Sequence, residues 1–350
     1  MALTRALVVP LSLTAALALS SCASGSADPS ATTAGGGPDG ALTVQASFYP
    51  LEYVTERVGG DLVEVESLTP AGGEPHDLEL SPSAVDSLRT ADAVVYLSGF
   101  QPAVDDAVAQ AAPEHVLDAA HAGVEGEEAH SAEEHAAAEE SHAEEAHGED
   151  APAGESHAEE THAGEEQAAA TGADGHDHGG EDPHFWLDPE RLAAVATEVA
   201  HELAEVDPDN AAAYEANAEE LSQELAALDE EFAEGLATCE RDTIVVSHEA
   251  YGYLAEKYDL EQVAVAGIDP DTEPSPARLA EIGEVVEAQG VTTVFSESLV
   301  NPKVAETLAA EHGIETAVLD PVEGLVDESA DYQQVMRENL ESLRTALDCA

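Results

Sequence analysis

Residues 42–70, LTVQASFYPLEYVTERVGGDLVEVESLTP, contain the unit from which the fold is predicted. Apolar and β-branched residues in LTVQASFY indicate a strand, the apolar spacing of LEYVTERVGG indicates a helix, and DLVEVESLTP indicates a second strand. A helix between two such strands is typical of a parallel βαβ unit. The segment therefore predicts a parallel sheet covered by helices.

The same alternation continues along the chain and then starts again. SPSAVDSLRTAD predicts a helix capped by Ser81, with Pro82 at its first position, before the buried strand AVVYLSG and the helix FQPAVDDAVAQAA. A second series begins at TIVVSH, and it continues through the strands QVAVAGI, TTVFSE and ETAVLD, with helical segments between and after them. The chain therefore predicts two parallel-sheet α/β lobes.

Two helices are predicted between the lobes. Asp188 can cap a helix from Pro189 to about Ala204, and a second helix starts near Pro208 and keeps apolar residues at helical spacing through Leu236. A helix of that length extends roughly 40 Å. It is therefore predicted to be a rigid bridge between the two lobes.

Composition identifies a segment without a predicted fold and limits the class of partner. Residues 121–182 consist mainly of Ala, Glu, His and Gly. Because few of these residues could form a hydrophobic core, the segment is predicted to be a disordered insertion rich in histidine and acidic residues. The formal net charge of −65 excludes nucleic acid as a partner and favours cations.

The N-terminus predicts export and lipidation. Arg5 precedes an apolar run, 6–19, that is too short to span a bilayer, and LALSSC places small residues directly before Cys22. We expect a lipoprotein signal peptide with the lipid on Cys22; an ordinary secretory signal is the alternative. The predicted boundaries are 1–21 for the signal peptide, 22–40 for a flexible tether, 41–120 for the N-terminal lobe, 121–182 for the insertion, 183–204 for the end of that lobe, 205–238 for the long linking helix and 239–350 for the C-terminal lobe.

Two cysteines remain after the predicted cleavage, Cys239 and Cys349. Outside the cytoplasm a lone pair of cysteines favours a disulfide. Two free thiols are the alternative.

Polar side chains follow several predicted strands. Ligands of open α/β sheets bind beyond the carboxyl ends of the strands. His76, His248 and Asp320 stand at such ends, and His184 precedes the helix that Asp188 caps. Three imidazoles and one carboxylate suit Zn²⁺, whereas Mn²⁺ prefers more carboxylates. The sequence therefore predicts a zinc site of these four residues, with Glu74 and Glu297 as weaker candidates.

The motifs around these residues resemble one family. They are GGEPHDLELSPS, DPHFWLDP, VVSHEAYGYLAEKY, GIDPDTEPSPARL, FSESLVNP and LDPVEG. From residue 41 onward the chain resembles the cluster A-I metal-binding lipoproteins of ABC transporters, in their zinc-specific branch. The resemblance implies two α/β lobes bridged by a rigid helix, with His76, His184, His248 and Asp320 as ligands. Manganese-binding relatives usually carry glutamate where His248 stands, which favours zinc.

The expected function is capture of Zn²⁺ outside the cytoplasmic membrane and delivery to an ABC permease, by a lipid-anchored monomer that is not an enzyme. Imidazoles must lose a proton to bind metal, so affinity is expected to fall as the pH drops through about 6. The alternatives are a manganese or iron protein on the same scaffold, a metallohydrolase, and an adhesin-like lipoprotein that buffers metal. The histidine-rich insertion resembles a low-affinity zinc collector; an inert solubilising spacer is the alternative.

Overall fold

The computed structural model describes residues 40–124, 182–327 and 329–350. The predicted signal peptide, nearly all of the tether and most of the histidine-rich insertion lie outside these described residues. Among the helices that are described, none combines the length and the apolar character needed to cross a membrane.

The first lobe contains a four-stranded parallel sheet in the order β2-β1-β3-β4. Its elements are β1 (Leu42–Ala46), α1 (Tyr49–Gly59), β2 (Val63–Ser67), α2 (Pro82–Leu88), β3 (Ala93–Tyr96), α3 (Pro102–Ala111), β4 (Val116–Asp118) and α4 (Ala120–Gly123). Ser81 caps α2 as the sequence predicts, since its side chain accepts a hydrogen bond from the Ala84 N–H. The prediction missed β4 and α4, because a partly buried strand of three residues and a single helical turn of four residues show no periodic pattern.

Two helices follow, and the second is the long bridge that the sequence predicts. They are α5 (Pro189–Val206) and α6 (Ala211–Leu236), joined by a 3₁₀ turn at Pro208–Asn210. The Asp188 carboxylate caps α5 by accepting from the Glu190 N–H at 2.9 Å. With 26 residues, α6 is about 39 Å long. It packs along α5 and contacts α1 in the first lobe and the last helix of the chain in the second, so it supports both lobes.

The second lobe repeats the strand order of the first, as β6-β5-β7-β8, and all of its pairs are parallel. Its elements are β5 (Thr243–Val246), α7 (Gly252–Lys257), β6 (Glu261–Ala264), α8 (Pro276–Gln289), β7 (Thr293–Ser296), α9 (Lys303–His312), β8 (Glu315–Val318) and α10 (Tyr332–Leu347). Every residue of β5 and β7 is buried, as expected for central strands with both faces covered. The predicted architecture of two α/β lobes and a long linking helix is confirmed.

One hydrophobic core continues from lobe to lobe and includes Val44 of β1 and Ile244 of β5. Hydrogen bonds reinforce the contact. The indole N–H of Trp186 donates to the carbonyl oxygen of Pro321 at 2.7 Å, and the Tyr332 hydroxyl donates to the carbonyl oxygen of Trp186 at 2.6 Å. Because the lobes share a core, they are fused, and a site between them has fixed walls.

The predicted disulfide is confirmed. Cys239 is bonded to Cys349, across a sequence separation of 110 residues. The bond ties the chain just beyond α6 to the chain just beyond α10. In the chain-entropy account a loop of this size contributes about 4–5 kcal/mol to stability.

Candidate metal centre

Four side chains from both lobes converge between the sheets. His76 lies in the loop after β2, and His184 immediately precedes a 3₁₀ turn at Phe185–Leu187. His248 stands two residues after β5, and Glu323 stands five residues after β8. The donor atoms of these four residues lie within 4.8 Å of one another, and all but His76 are fully buried residues. Among the described residues this is the one group with a geometry able to hold a metal ion.

The three imidazoles point the same nitrogen at one carboxylate oxygen. Nε2 of His76 lies 3.2 Å from Glu323 Oε1, Nε2 of His184 lies 3.1 Å from it, and Nε2 of His248 lies 3.4 Å from it. The Nε2 atoms of His184 and His248 are 3.3 Å apart. A tetrahedral zinc ion with bonds of about 2.0–2.1 Å separates its ligand atoms by about 3.3 Å. These four separations therefore match those of a tetrahedral zinc site, and the remaining pairs of donor atoms lie within 4.8 Å.

Carboxylates on the far side of two rings fix the orientation of those rings. Nδ1 of His184 lies 2.7 Å from Asp182 Oδ1, and Nδ1 of His248 lies 2.8 Å from Glu297 Oε1. The same two oxygens accept the backbone N–H of their histidine, at 3.0 and 3.1 Å. An Nδ1–H donated to a carboxylate leaves Nε2 as the metal-binding nitrogen. Glu297, a weaker ligand candidate from the sequence, thus lies behind a ligand ring.

His76 is held in a different way. Its ring packs edge-on against Phe100, with centroids 4.8 Å apart. The Glu74 carboxylate accepts the backbone N–H groups of His76 and Asp77 at 3.0 and 3.2 Å, which shapes the loop around the ligand. Glu74 Oε1 lies 3.9 Å from His76 Nε2, farther than the Glu323 oxygen. Glu74 is therefore a loop-shaping residue at the edge of the cluster.

The structure corrects the predicted fourth member of the set. Asp320 is not among the four residues whose donor atoms converge; its carboxylate instead accepts the backbone N–H of Val322 at 2.8 Å, with a further hydrogen bond from Ser298. Asn339 fixes the Asp320 backbone, because its side chain accepts from the Asp320 N–H and donates to the Asp320 carbonyl oxygen. Glu323 takes the place in the cluster that the sequence assigned to Asp320.

The backbone at Val322 explains why the first acid after β8, Asp320, is not the one that joins the cluster. Val322 has a φ of 58°, in the left-handed region that a β-branched residue rarely adopts. This conformation, braced by the Asp320 carboxylate, precedes Glu323, whose carboxylate reaches the histidines. Strand-end reasoning favours the first acid after the strand. Asp, Pro and Gly in LDPVEG suit a turn, but they do not indicate a left-handed conformation at the β-branched Val322. The motif itself contained the signal, since it holds both carboxylates.

The cluster is strongly polarised. Burial favours the neutral acid, but hydrogen bonds from His184, His248 and His76 outweigh it and hold the pKa of Glu323 well below its usual range. Burial alone would lower the pKa of His248, but hydrogen bonds to Glu297 and Glu323 raise that pKa to about 10. The pKa of His184 is likewise raised by Asp182 and Glu323 against the effect of burial. Without metal, the His248 ring therefore holds a proton that a cation must displace.

Aromatic side chains surround the first-lobe ligands. The ring of Trp186 lies 5.1 Å from that of His184 and 4.8 Å from that of Phe48, and both aromatic residues are buried. This apolar wall excludes water from the imidazoles and restricts their rotation. Phe185 and Trp186 are fully buried, and Phe48 and Phe100 extend the wall.

Comparison with known proteins agrees with this geometry. Residues 44–346 match the family described as zinc-uptake complex component A, periplasmic. The chain belongs to this family. It is 32% identical to the zinc-binding lipoprotein AdcA of Streptococcus pneumoniae serotype 4 over 325 residues, which covers 89% of this chain and 56% of that protein. The chain thus spans little more than half the length of that relative.

One further relative and one solved domain are similar over most of both chains. The high-affinity zinc uptake system protein ZnuA of Bacillus subtilis is 32% identical over 87% of this chain and 88% of its own length. The crystal structure of the Zn(II)-bound ZnuA-like domain of Streptococcus pneumoniae AdcA superposes with a TM-score of 0.64 at 29% identity, covering 88% of this chain and all of that one. The likeness therefore extends over both lobes and the linking helix.

Proposed function

We propose that the protein captures Zn²⁺ as cargo between its lobes, through Nε2 of His76, His184 and His248 and a carboxylate oxygen of Glu323. The observation that carries this proposal is the convergence of four donor atoms inside a buried, aromatic-walled site, with four of their separations at 3.1–3.4 Å and all of them within 4.8 Å. Three imidazoles with a single carboxylate favour zinc over manganese, because Mn²⁺ binds best where oxygen ligands dominate.

The cargo is delivered to an ABC permease outside the cytoplasmic membrane. Membership of a zinc-uptake family supports this role, as do relatives named as a zinc-binding lipoprotein and a zinc uptake protein. The predicted lipid on Cys22 and the tether 22–40 would hold the body near that permease as a monomer. No catalytic step is proposed, because four protein ligands fill a tetrahedral zinc ion and leave no position for a reactive water.

Two carboxylate variants test the ligand set. Zinc affinity is measured by competition with a chromophoric chelator for Glu323→Gln and Asp320→Asn. We expect Glu323→Gln to weaken zinc binding by more than about tenfold, since losing a direct ligand should cost more affinity than losing a group that only hydrogen-bonds a ligand. Asp320→Asn serves as the matched control, with binding within about threefold of the unmodified protein. Equal affinity of Glu323→Gln and the unmodified chain, or a large loss in Asp320→Asn alone, would remove Glu323 from the site.

Two assays separate the rival functions. Competition between Zn²⁺ and Mn²⁺ in a thermal-shift titration should show zinc stabilising the fold at concentrations where manganese does not. Hydrolysis of model esters and peptides by the zinc-loaded protein should stay at the rate of the buffer. Preferential stabilisation by Mn²⁺, or turnover that chelation abolishes, would overturn the respective part of the proposal.

A further inference from the structure

Asp182 joins a first-lobe ligand to the second lobe. Its carboxylate accepts two hydrogen bonds from His184, as described above, while its backbone carbonyl oxygen accepts the hydroxyl of Tyr253 at 3.0 Å. Tyr253 belongs to α7, which follows β5 and His248 in the second lobe. The orientation of the His184 ring is therefore connected, through one residue, to a helix on the opposite wall of the site.

Gly252 provides the space for this contact. A Cβ atom added at Gly252 would collide with the second carboxylate oxygen of Asp182, with no other atom within 4 Å except the carbon of the same carboxylate. The Asp182 side chain thus rests on the backbone at the start of α7. Its two oxygens have separate surroundings: one binds His184, and the other packs on Gly252.

Arg191 fixes the tyrosine from the first-lobe side. Its guanidinium lies over the Tyr253 ring, 4.6 Å from the centroid, and also donates to the carbonyl oxygens of Gly123 and Val124 at 2.9 and 3.0 Å. A guanidinium over an aromatic face is attracted by the ring quadrupole. Tyr253 is therefore held between the lobes with its hydroxyl directed at Asp182.

We propose that Gly252 and Tyr253 are positioning residues for zinc binding, which act on the His184 ring through Asp182. The proposal deepens the proposed function and rests on it. In this arrangement the second lobe supplies His248 and also sets the Nδ1–H hydrogen bond that turns His184 Nε2 towards the ion. A tight site then forms only where the two lobes are in register.

Four variants of the full chain test the proposal, with zinc as the probe. Removal of an outer partner of a ligating histidine typically costs 10–100-fold in metal affinity. We expect Asp182→Ala to lose about that much, and Asp182→Asn to recover part of it because the amide oxygen still accepts the Nδ1–H. Tyr253→Phe keeps the ring under Arg191 and removes one hydrogen bond, so a loss of about two- to tenfold is expected. Gly252→Ala should lose about tenfold.

Tyr258→Phe is the matched control. Tyr258 lies one residue beyond α7, and its hydroxyl donates at 2.8 Å to Asp229, a carboxylate that pairs with Lys257 and not with a proposed ligand. It should change zinc affinity by less than about twofold. The nitrogen-15 NMR signal of the His184 Nδ1–H in the zinc-loaded protein gives a second readout. It should shift and exchange faster with water in Tyr253→Phe, and remain unchanged in Tyr258→Phe.

Two failures are distinguishable. If the unmodified chain bound no zinc, the proposed function itself would fail. If it bound zinc and Tyr253→Phe matched it in affinity and in the His184 signal, the positioning role would be refuted. Equal losses in Tyr253→Phe and Tyr258→Phe would also refute it, because they would show a general loss of packing.

Discussion

His248 and His76 face each other across the site, but their lobes present them differently. His248 follows the fully buried strand β5 after one intervening residue, its side chain is fully buried, and Glu297 binds its Nδ1. His76 stands in the segment between the end of β2 at Ser67 and the start of α2 at Pro82, which contains no helix or strand, and its side chain is 9% exposed. The second lobe thus holds its ligand rigidly, whereas the first carries one of its ligands on a loop.

The difference indicates which ligand leaves first when zinc is released. The lobes share one core and are braced by α6, so opening by a large hinge motion would break packed contacts. A loop departs at lower cost, because local opening draws on the segments with the fewest buried contacts. We therefore expect zinc to escape by movement of the His76 loop.

Deleting each ligand ring gives the largest expected effect. His248→Ala should weaken zinc binding by more than about 100-fold, because the loss of an outer partner alone costs about 10–100-fold. His76→Ala should cost less, because the remaining ligands keep their carboxylate partners and stay in place. The measurement is chelator competition at fixed pH. A larger loss in His76→Ala than in His248→Ala would reverse the comparison.

The contrast between the lobes also shows what the sequence could and could not reveal. Apolar strand segments, their alternation with helices, and helix caps predicted α5, α6 and every strand of the two sheets except β4, which has only three residues. His76, His184 and His248 could be placed at one edge since parallel strands bring their carboxyl ends together. The place of Glu323 in the cluster could not be predicted, because it depends on the left-handed conformation of Val322, which valine rarely adopts.

The carboxylates that hydrogen-bond Nδ1 of the histidine rings could not be predicted from the sequence either. Asp182 stands two residues before a predicted ligand, but nothing in DPH distinguishes a carboxylate behind the ring from one in solvent. Glu297 was a candidate by its location after β7, yet its role depends on which atom of His248 it contacts. Such details follow from side-chain packing between lobes, which a linear pattern does not record.

The affinity for zinc should depend on pH through the rings of His184 and His248, whose Nδ1 atoms face carboxylates. The pKa of His248 is raised to about 10, so its ring favours the protonated form at neutral pH when zinc is absent, and the pKa of His184 is shifted in the same direction. Zinc must displace the Nε2 protons, and affinity therefore keeps rising above pH 7, up to about tenfold per unit for each proton displaced. The pH range over which zinc affinity changes therefore lies above the value near 6 that is expected for an unperturbed imidazole.

Calorimetry in buffers of different ionisation enthalpy checks this prediction. At pH 7 it should show release of at least one proton for each zinc bound, and the dissociation constant should fall between pH 6 and 8. A dissociation constant that levels off above pH 6.5, with no proton released, would mean that the histidines are neutral before zinc arrives.

Glu297→Gln should have a smaller effect than loss of the ring it supports. The amide still accepts the His248 Nδ1–H but carries no charge, so affinity should fall about 10-fold and by no more than about 100-fold. The pH dependence should also become shallower, because one of the two groups that raise the pKa of His248 has become neutral. Titrations of this variant at pH 6 and 8 measure both effects, and an unchanged pH slope would show that Glu297 does not control the proton.

The smallest expected effect comes from loosening the His76 loop without touching a ligand. The buried side chain of Gln101 donates to Thr69 Oγ1 at 2.9 Å and to the carbonyl oxygen of Pro75 at 3.2 Å. Gln101→Ala should therefore speed zinc dissociation by about two- to tenfold, the usual net effect of such hydrogen bonds. Stopped-flow transfer of zinc to a chelator measures this rate.

Gln45→Ala is the control, because Gln45 is buried in the same lobe but bonds Glu66 and Ser87 away from that loop. It should leave the dissociation rate unchanged. A faster rate in both variants would mean that zinc release depends on the stability of the whole first lobe. A faster rate in Gln101→Ala alone would identify the His76 loop as the part that opens. It would thereby explain how two lobes that share one core can release an ion bound between them.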